Sequence, residues 1–169
     1  MTGPSNRQLG LQLLLCLLLV GCGFQLKGSG SGPNNSLEGR TIAIISAQPQ
    51  AELTAAVVQQ LGLEGAIIGA PEPSTLVLKL GAERFEQRNL SLTAQARSAE
   101  VELTLSTAFD LLRGRQVLVG NTEAQVVRQF LNDPRNVVGK TEELRLLREE
   151  MRHDLAAQIT RRISHSLRN

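Results

Sequence analysis

The sequence predicts an α+β domain: a four-stranded, mainly antiparallel sheet with two helices on one face, in the order β-α-β-β-β-α. Two observations carry this. Apolar residues recur with a period of two through most of residues 74–130, with a turn signal between the two longest stretches. A period of three to four appears briefly after Pro49 and at length after Thr141. The chain has 169 residues, which suits one such domain, and its 41% hydrophobic content supports a modest core.

The elements follow in order. Arg40 to Ser46 is a short β-branched run and reads as a strand, broken by Pro49. Leu53, Ala56, Val57 and Leu61 then keep a helical spacing, with Gly62 and Gly65 ending that helix. Ala66-Ile67-Ile68 is a short strand or the edge of one. From Ser74, Leu76, Leu78 and Leu80 point one way while Thr75, Val77 and Lys79 point the other. This strand is expected to run on through Phe85 towards Arg88, and a polar loop covers Asn89 to Arg97. Val101, Leu103, Leu105, Thr107, Phe109 and Leu111 alternate with Glu100, Glu102, Thr104, Ser106 and Asp110, the pattern of a half-buried strand. Arg113-Gly114-Arg115 is a hairpin turn, and Gln116 to Phe130 returns with Leu118, Ala124, Val126 and Phe130 on one face and a bulge at Gly120-Asn121. Asp133-Pro134 opens a loop reaching Lys140. Thr141 caps a long helix whose first turn holds Glu142 and Glu143. Its apolar stripe is Leu144, Leu147, Met151, Leu155, Ile159, Ile163 and Leu167, and Arg161, Arg162 and Arg168 lie in its last turns.

The N-terminus reads as an address. Arg7 precedes the apolar run Leu11 to Val20, which is too short to span a bilayer and fits a signal-peptide core. It ends in Leu19-Val20-Gly21-Cys22, which resembles a bacterial lipobox. Residues 1–21 are then a cleaved signal peptide, 22–36 a Gly/Ser-rich lipidated tether and 37–169 the α+β domain. The Cys22 thiolate is the nucleophile that accepts the lipid. Gly23, in place of the Asp that retains lipoproteins of this kind in the inner membrane, directs the protein by resemblance to the outer membrane. Phe24 and Leu26 are placed to dip into the lipid interface or to pack on a partner. Cleavage removes Cys16, so the mature chain is expected to hold no disulfide.

Several chemistries are poorly served. The formal net charge is +2 and there is no Trp or Tyr, which argues against nucleic-acid binding. The two histidines, His153 and His165, are twelve residues apart on one helix, so they form no HExxH pair. No Gly-x-Ser-x-Gly elbow or Walker loop occurs. Glu142-Glu143 and Glu149-Glu150 read as a solvated helix face, and Glu100 and Glu102 share a strand face without a nucleophile beside them. The expectation is no catalytic residue, no metal and no cofactor.

Several segments together resemble the LPS-assembly lipoprotein family (LptE). They are Gly21-Cys22-Gly23-Phe24-Gln25-Leu26-Lys27-Gly28; Leu90-Ser91-Leu92 through Ala99-Glu100-Val101, where the family often has Tyr in place of Val101; Arg128 to Pro134 followed by Val138-Gly139-Lys140; and Glu149 to Ala156 leading to Gln158-Ile159 and Arg161-Arg162. The resemblance implies a four-stranded sheet with two helices. It also implies a non-enzymatic outer-membrane lipoprotein that sits in the lumen of the LPS translocon β-barrel, facing the periplasm. There it plugs the barrel, assists its assembly, and binds lipopolysaccharide for delivery to the outer leaflet. Lys140 matches a basic family position implicated in LPS contact. The family's other such position aligns with Ala94, so Arg97 or Arg88 is the substitute. The expected LPS-binding residues are Lys140, Arg97 and Arg88, since phosphates call for Arg or Lys. The alternatives are a lipoprotein adaptor or pilotin for another envelope complex and, with no nucleophile to support it, a lipid-anchored hydrolase.

Overall fold

The computed structural model describes residues 36–73, 75–92, 98–131 and 137–168. The expected signal peptide, Cys22 and all of the tether except Ser36 lie outside the described residues. The elements are β1 (Thr41–Ser46), α1 (Glu52–Leu63), β2 (Ile67–Ile68), β3 (Leu76–Leu80), β4 (Arg84–Leu92), β5 (Ser98–Arg113), β6 (Gln116–Leu131) and α2 (Val137–Ser166).

The sheet has six strands, which corrects the four-stranded expectation and its order; its three pairings along β5 are antiparallel, but β1 makes it mixed. β1 pairs parallel with both β2 and β3, because α1 carries the chain back so that the next strands start at the same end as β1. β3 and β4 both run antiparallel to β5, and β6 lines the opposite edge of β5. The expected strand from Leu76 towards Arg88 is therefore one line along β5, interrupted once. Between the pairs Leu80–Phe109 and Arg84–Ser106, residues 81–83 stand against only Thr107 and Ala108. The Gly81 N–H donates to the Ala108 carbonyl at 2.8 Å, and a Cβ at Gly81 would lie 2.9 Å from that same oxygen. Only glycine lets the chain pass this close. The other irregularity falls where expected: Asn121 has φ of 43°, Asp110 is skipped in the pairing with β6, and the Asn121 N–H donates to the Asp110 carboxylate at 2.6 Å.

The alternation in β5 is buried as read. Val101, Leu103, Leu105, Thr107, Phe109 and Leu111 all face the core, joined by Ala124, Val126 and Phe130 of β6, while Leu118 is only half-buried. Leu53, Ala56, Val57 and Leu61 of α1 and Met151, Leu155, Ile159 and Ile163 of α2 close over them. Burying each large apolar side chain contributes about 1.5–3 kcal/mol, so this one cluster holds both helices to one sheet face.

Two helix boundaries differ from expectation. Gly62 lies inside α1, and Gly65 alone ends it, with φ of 83°. The Ala66 N–H donates to the Leu61 carbonyl and the Gly65 N–H to that of Gly62, both at 3.0 Å, while Leu61 and Ala66 are buried against the core. This is the paired closure of a Schellman cap. α2 begins at Val137, so Lys140 lies in its first turns rather than in a loop, Thr141 is not the cap, and the first turn holds no acidic residue. Val137, Val138 and Gly139 are weak helix formers, which hid this turn; a stripe buried further along propagates the helix back into them.

The outer edge of β6 is finished by side chains. Ala108 presents its carbonyl to Gly81, on the β3–β4 side, so its β6 partner Glu123 points its own carbonyl away from the sheet. Arg162 of α2 donates to that oxygen at 2.8 Å, and Arg128 donates to the carbonyl of Val127 at 3.2 Å. Arg128 also pairs with Asp154 of α2.

Candidate functional site

Leu92 pairs with Ser98, and Glu100 with Leu131, so the β4–β5 and β6–α2 connections leave the sheet at one end. Arg88 and Lys140 both sit towards that end. Arg97 lies outside the described residues. Arg88 projects from the open sheet face, beside its cross-strand partner Glu102, whose carboxylate it reaches at 2.8 Å. Lys140 is half-buried on α2, across the sheet from Arg88, and no ion pair joins it to another described residue. The structure thus brings the two to one end but not to one face. The open face is polar over the paired stretches 84–88, 102–106 and 125–129: Arg84, Glu86 and Arg88 stand beside Ser106, Thr104 and Glu102, then Gln125 and Gln129, with only Val127 apolar among them; Leu112 and Val117 follow on the same face further along.

A second constellation was not anticipated. The chain interruption at residues 81–83 turns Glu83 inward under α2, where its side chain is only 7% exposed. Arg148 donates to Glu83 Oε1 through Nη2 at 2.6 Å and Nε at 3.2 Å. Arg152 donates through Nε to Oε2 at 2.8 Å and through Nη2 to Oε1 at 3.0 Å, and its remaining nitrogen reaches Glu52 at the start of α1. The Arg148 guanidinium also lies 4.5 Å from the centre of the Phe85 ring. Burial pushes the Glu83 carboxyl up, but the hydrogen bonds and charge of Arg152 and Arg148 outweigh it and hold the group below the usual carboxylate range. The same bonds raise Arg152. A hollow of ≈ 730 Å³ opens beside these groups, lined also by Gln48, Pro49 and Gln50. Its two guanidinium charges are matched by Glu83 and Glu52, so it has no surplus charge for an ion. Among the described residues, no cluster of three His, Cys, Asp or Glu could hold a metal.

The family model LptE, described as lipopolysaccharide-assembly, matches residues 39–163. The chain belongs to the LptE family. It is 29% identical over 153 residues to the LPS-assembly lipoprotein LptE of Yersinia enterocolitica, covering 89% of this chain and 72% of that protein, and 28% identical over the same span to that of Yersinia pestis. Among solved structures it is similar to rare lipoprotein B from Shewanella oneidensis, with a TM-score of 0.69 and 28% identity over 75% of this chain and 96% of that one. It also shares its fold with lipoprotein B from Nitrosomonas europaea, with a TM-score of 0.66 at 21% identity over 84% and 90% of the two chains.

Within this LptE-family domain, the arginine cluster left a faint sequence signal: Arg145, Arg148 and Arg152 recur at helical spacing. What the sequence did not show was their partner, since Glu83 is 65 and 69 residues away. The family match gives this chain a place in lipopolysaccharide assembly. No described helix is long and apolar enough to cross a membrane.

Proposed function

We propose that this chain is a non-enzymatic outer-membrane lipoprotein, cleaved after residue 21 and lipidated on Cys22. In this reading it plugs the LPS translocon β-barrel, assists its assembly, and binds LPS for delivery to the outer leaflet. The family match over residues 39–163 carries the reading. The open sheet face supports it, because a barrel lumen is polar and a domain filling it needs polar surfaces of this kind. A pore wide enough for a glycolipid leaks unless something fills it, and a rigid sheet with two helices is a suitable filler. Lys140 and Arg88 supply cations for LPS phosphates at the end where the two connections emerge, and Arg97 is a third cation by sequence.

The test is an affinity pull-down of the tagged, lipidated protein from detergent-solubilised outer membrane, followed by mass spectrometry. A stoichiometric large β-barrel protein is expected. A folded, correctly localised bait that brings down a different envelope complex would replace this reading with the adaptor one.

A further inference from the structure

The end of the domain opposite Arg88 and Lys140 has a different character. β1, β2 and β3 begin there and β5 ends there, with Ile42, Leu76 and Arg113 side by side. The described chain enters at the same end. The Ser36 hydroxyl donates to the Ser164 carbonyl near the end of α2 at 2.7 Å, Leu37 is wholly buried, and Arg40 Nε donates to the Ser36 carbonyl at 2.6 Å. The three most exposed large apolar side chains of the described residues also lie at this end, spread across its width: Leu63 at 74%, the last residue of α1, with Ile67 on β2 and Val117 on β6 at 57% each. Around them stand exposed Arg40, Arg113, Arg115 and Arg168, and no ion pair among the described residues uses any of the four. Of the other described arginines, Arg84, Arg88, Arg128, Arg145, Arg148 and Arg152 each meet a carboxylate, whereas Arg161 and Arg162 of α2 meet none among the described residues, Arg162 donating to the Glu123 carbonyl instead. Glu38, Glu64 and Glu72 share this end with the four cations.

From these features we infer that this end docks on the headgroup layer of an anionic phospholipid leaflet, with Leu63, Ile67 and Val117 entering the interface and the arginines meeting lipid phosphates. Exposed apolar tips and cations without ion pairs at one end match such a surface on both counts. A wholly polar anionic partner would leave the apolar tips unused. The place where the chain enters makes lipid the occupant. Residues 22–35 join Cys22 to Ser36, so a lipid on Cys22 ties this end of the domain, and not the opposite one, to the leaflet through a short length of chain. The inference rests on the lipidation in the proposed function and does not depend on the barrel.

The test uses the full acylated protein in vesicles without any barrel protein. An environment-sensitive fluorophore is placed at Val117→Cys or, as a control, at Val127→Cys on the open sheet face; Cys22 is blocked by its lipid. Vesicles are phosphatidylcholine with or without about 30% phosphatidylglycerol, carrying a headgroup-depth quencher. In the anionic vesicles, quenching at position 117 is expected to exceed that at 127 by about threefold or more. The difference should shrink in neutral vesicles, at about 0.5 M salt, and in R113E/R115E. Arg113 ends β5 and Arg115 lies in the exposed turn after it, and a melting curve confirms that the variant folds. Equal quenching at both positions in anionic vesicles, or a difference unmoved by R113E/R115E, would overturn the inference. Failure of the protein to float with vesicles would refute the anchor on which it rests.

Discussion

At Glu83 one nearly buried carboxylate is shared by two guanidinium groups, which fixes α2 to the interruption between β3 and β4. Glu83→Gln leaves Arg152, itself only 13% exposed, beside a neutral amide. The expected cost is about 3 kcal/mol, read as a fall in the denaturant midpoint at neutral pH. Because the folded pKa of Glu83 lies below its ordinary value, its contribution is present above the unfolded pKa and is lost as pH falls through the folded one. The native protein should therefore lose stability on acidification below about pH 4.5, and the Gln variant should lose less over the same range. Equal acid sensitivity in the two proteins would remove Glu83 from the role described. Reading residues singly did well where a pattern was local: every odd position from Val101 to Leu111 is buried. It failed at Glu83, because nothing beside it in the sequence marks a carboxylate that has to be inward.

Among the elements, α1 ends on a single conformational requirement. Gly65→Ala places a Cβ in a left-handed residue, 3.2 Å from Glu38 Cα, and is expected to cost about 1–2 kcal/mol, seen as a lower melting temperature. A variant melting with the native protein would mean that the cap is dispensable. For β5, Leu105→Asp puts an unpaired carboxylate where no solvent reaches and should abolish the cooperative transition; a normal melting curve would contradict the burial of that strand. Elements with an uninterrupted period, β5 and most of α2, were legible in the sequence. The parallel pairing of β1 was not, because β2 and β3 give no sign of which neighbour they meet. The first turn of α2 was hidden by Val137-Val138-Gly139, residues whose local preference a long packed helix overrides.

Taken as a whole, the molecule places different chemistry at its two ends, and the site expected from sequence is only partly assembled at one of them. Arg88 and Lys140 share an end but not a face, so an LPS molecule touching both must wrap the rim of the sheet. Lys140→Glu is expected to weaken LPS capture about tenfold while leaving melting and barrel association unchanged; unaltered capture would take Lys140 out of the site. Neither the shared end nor the opposed faces could be read from the sequence, since both depend on where α2 crosses the sheet. The arginine-capped edge of β6 has a consequence for the proposed barrel placement. An unguarded strand of this length invites its neighbour to stitch onto it, backbone to backbone. With Arg162 and Arg128 occupying the outward oxygens of Glu123 and Val127, that seam is shut at two points, so the domain can rest against a β-wall and still come away as a separate body.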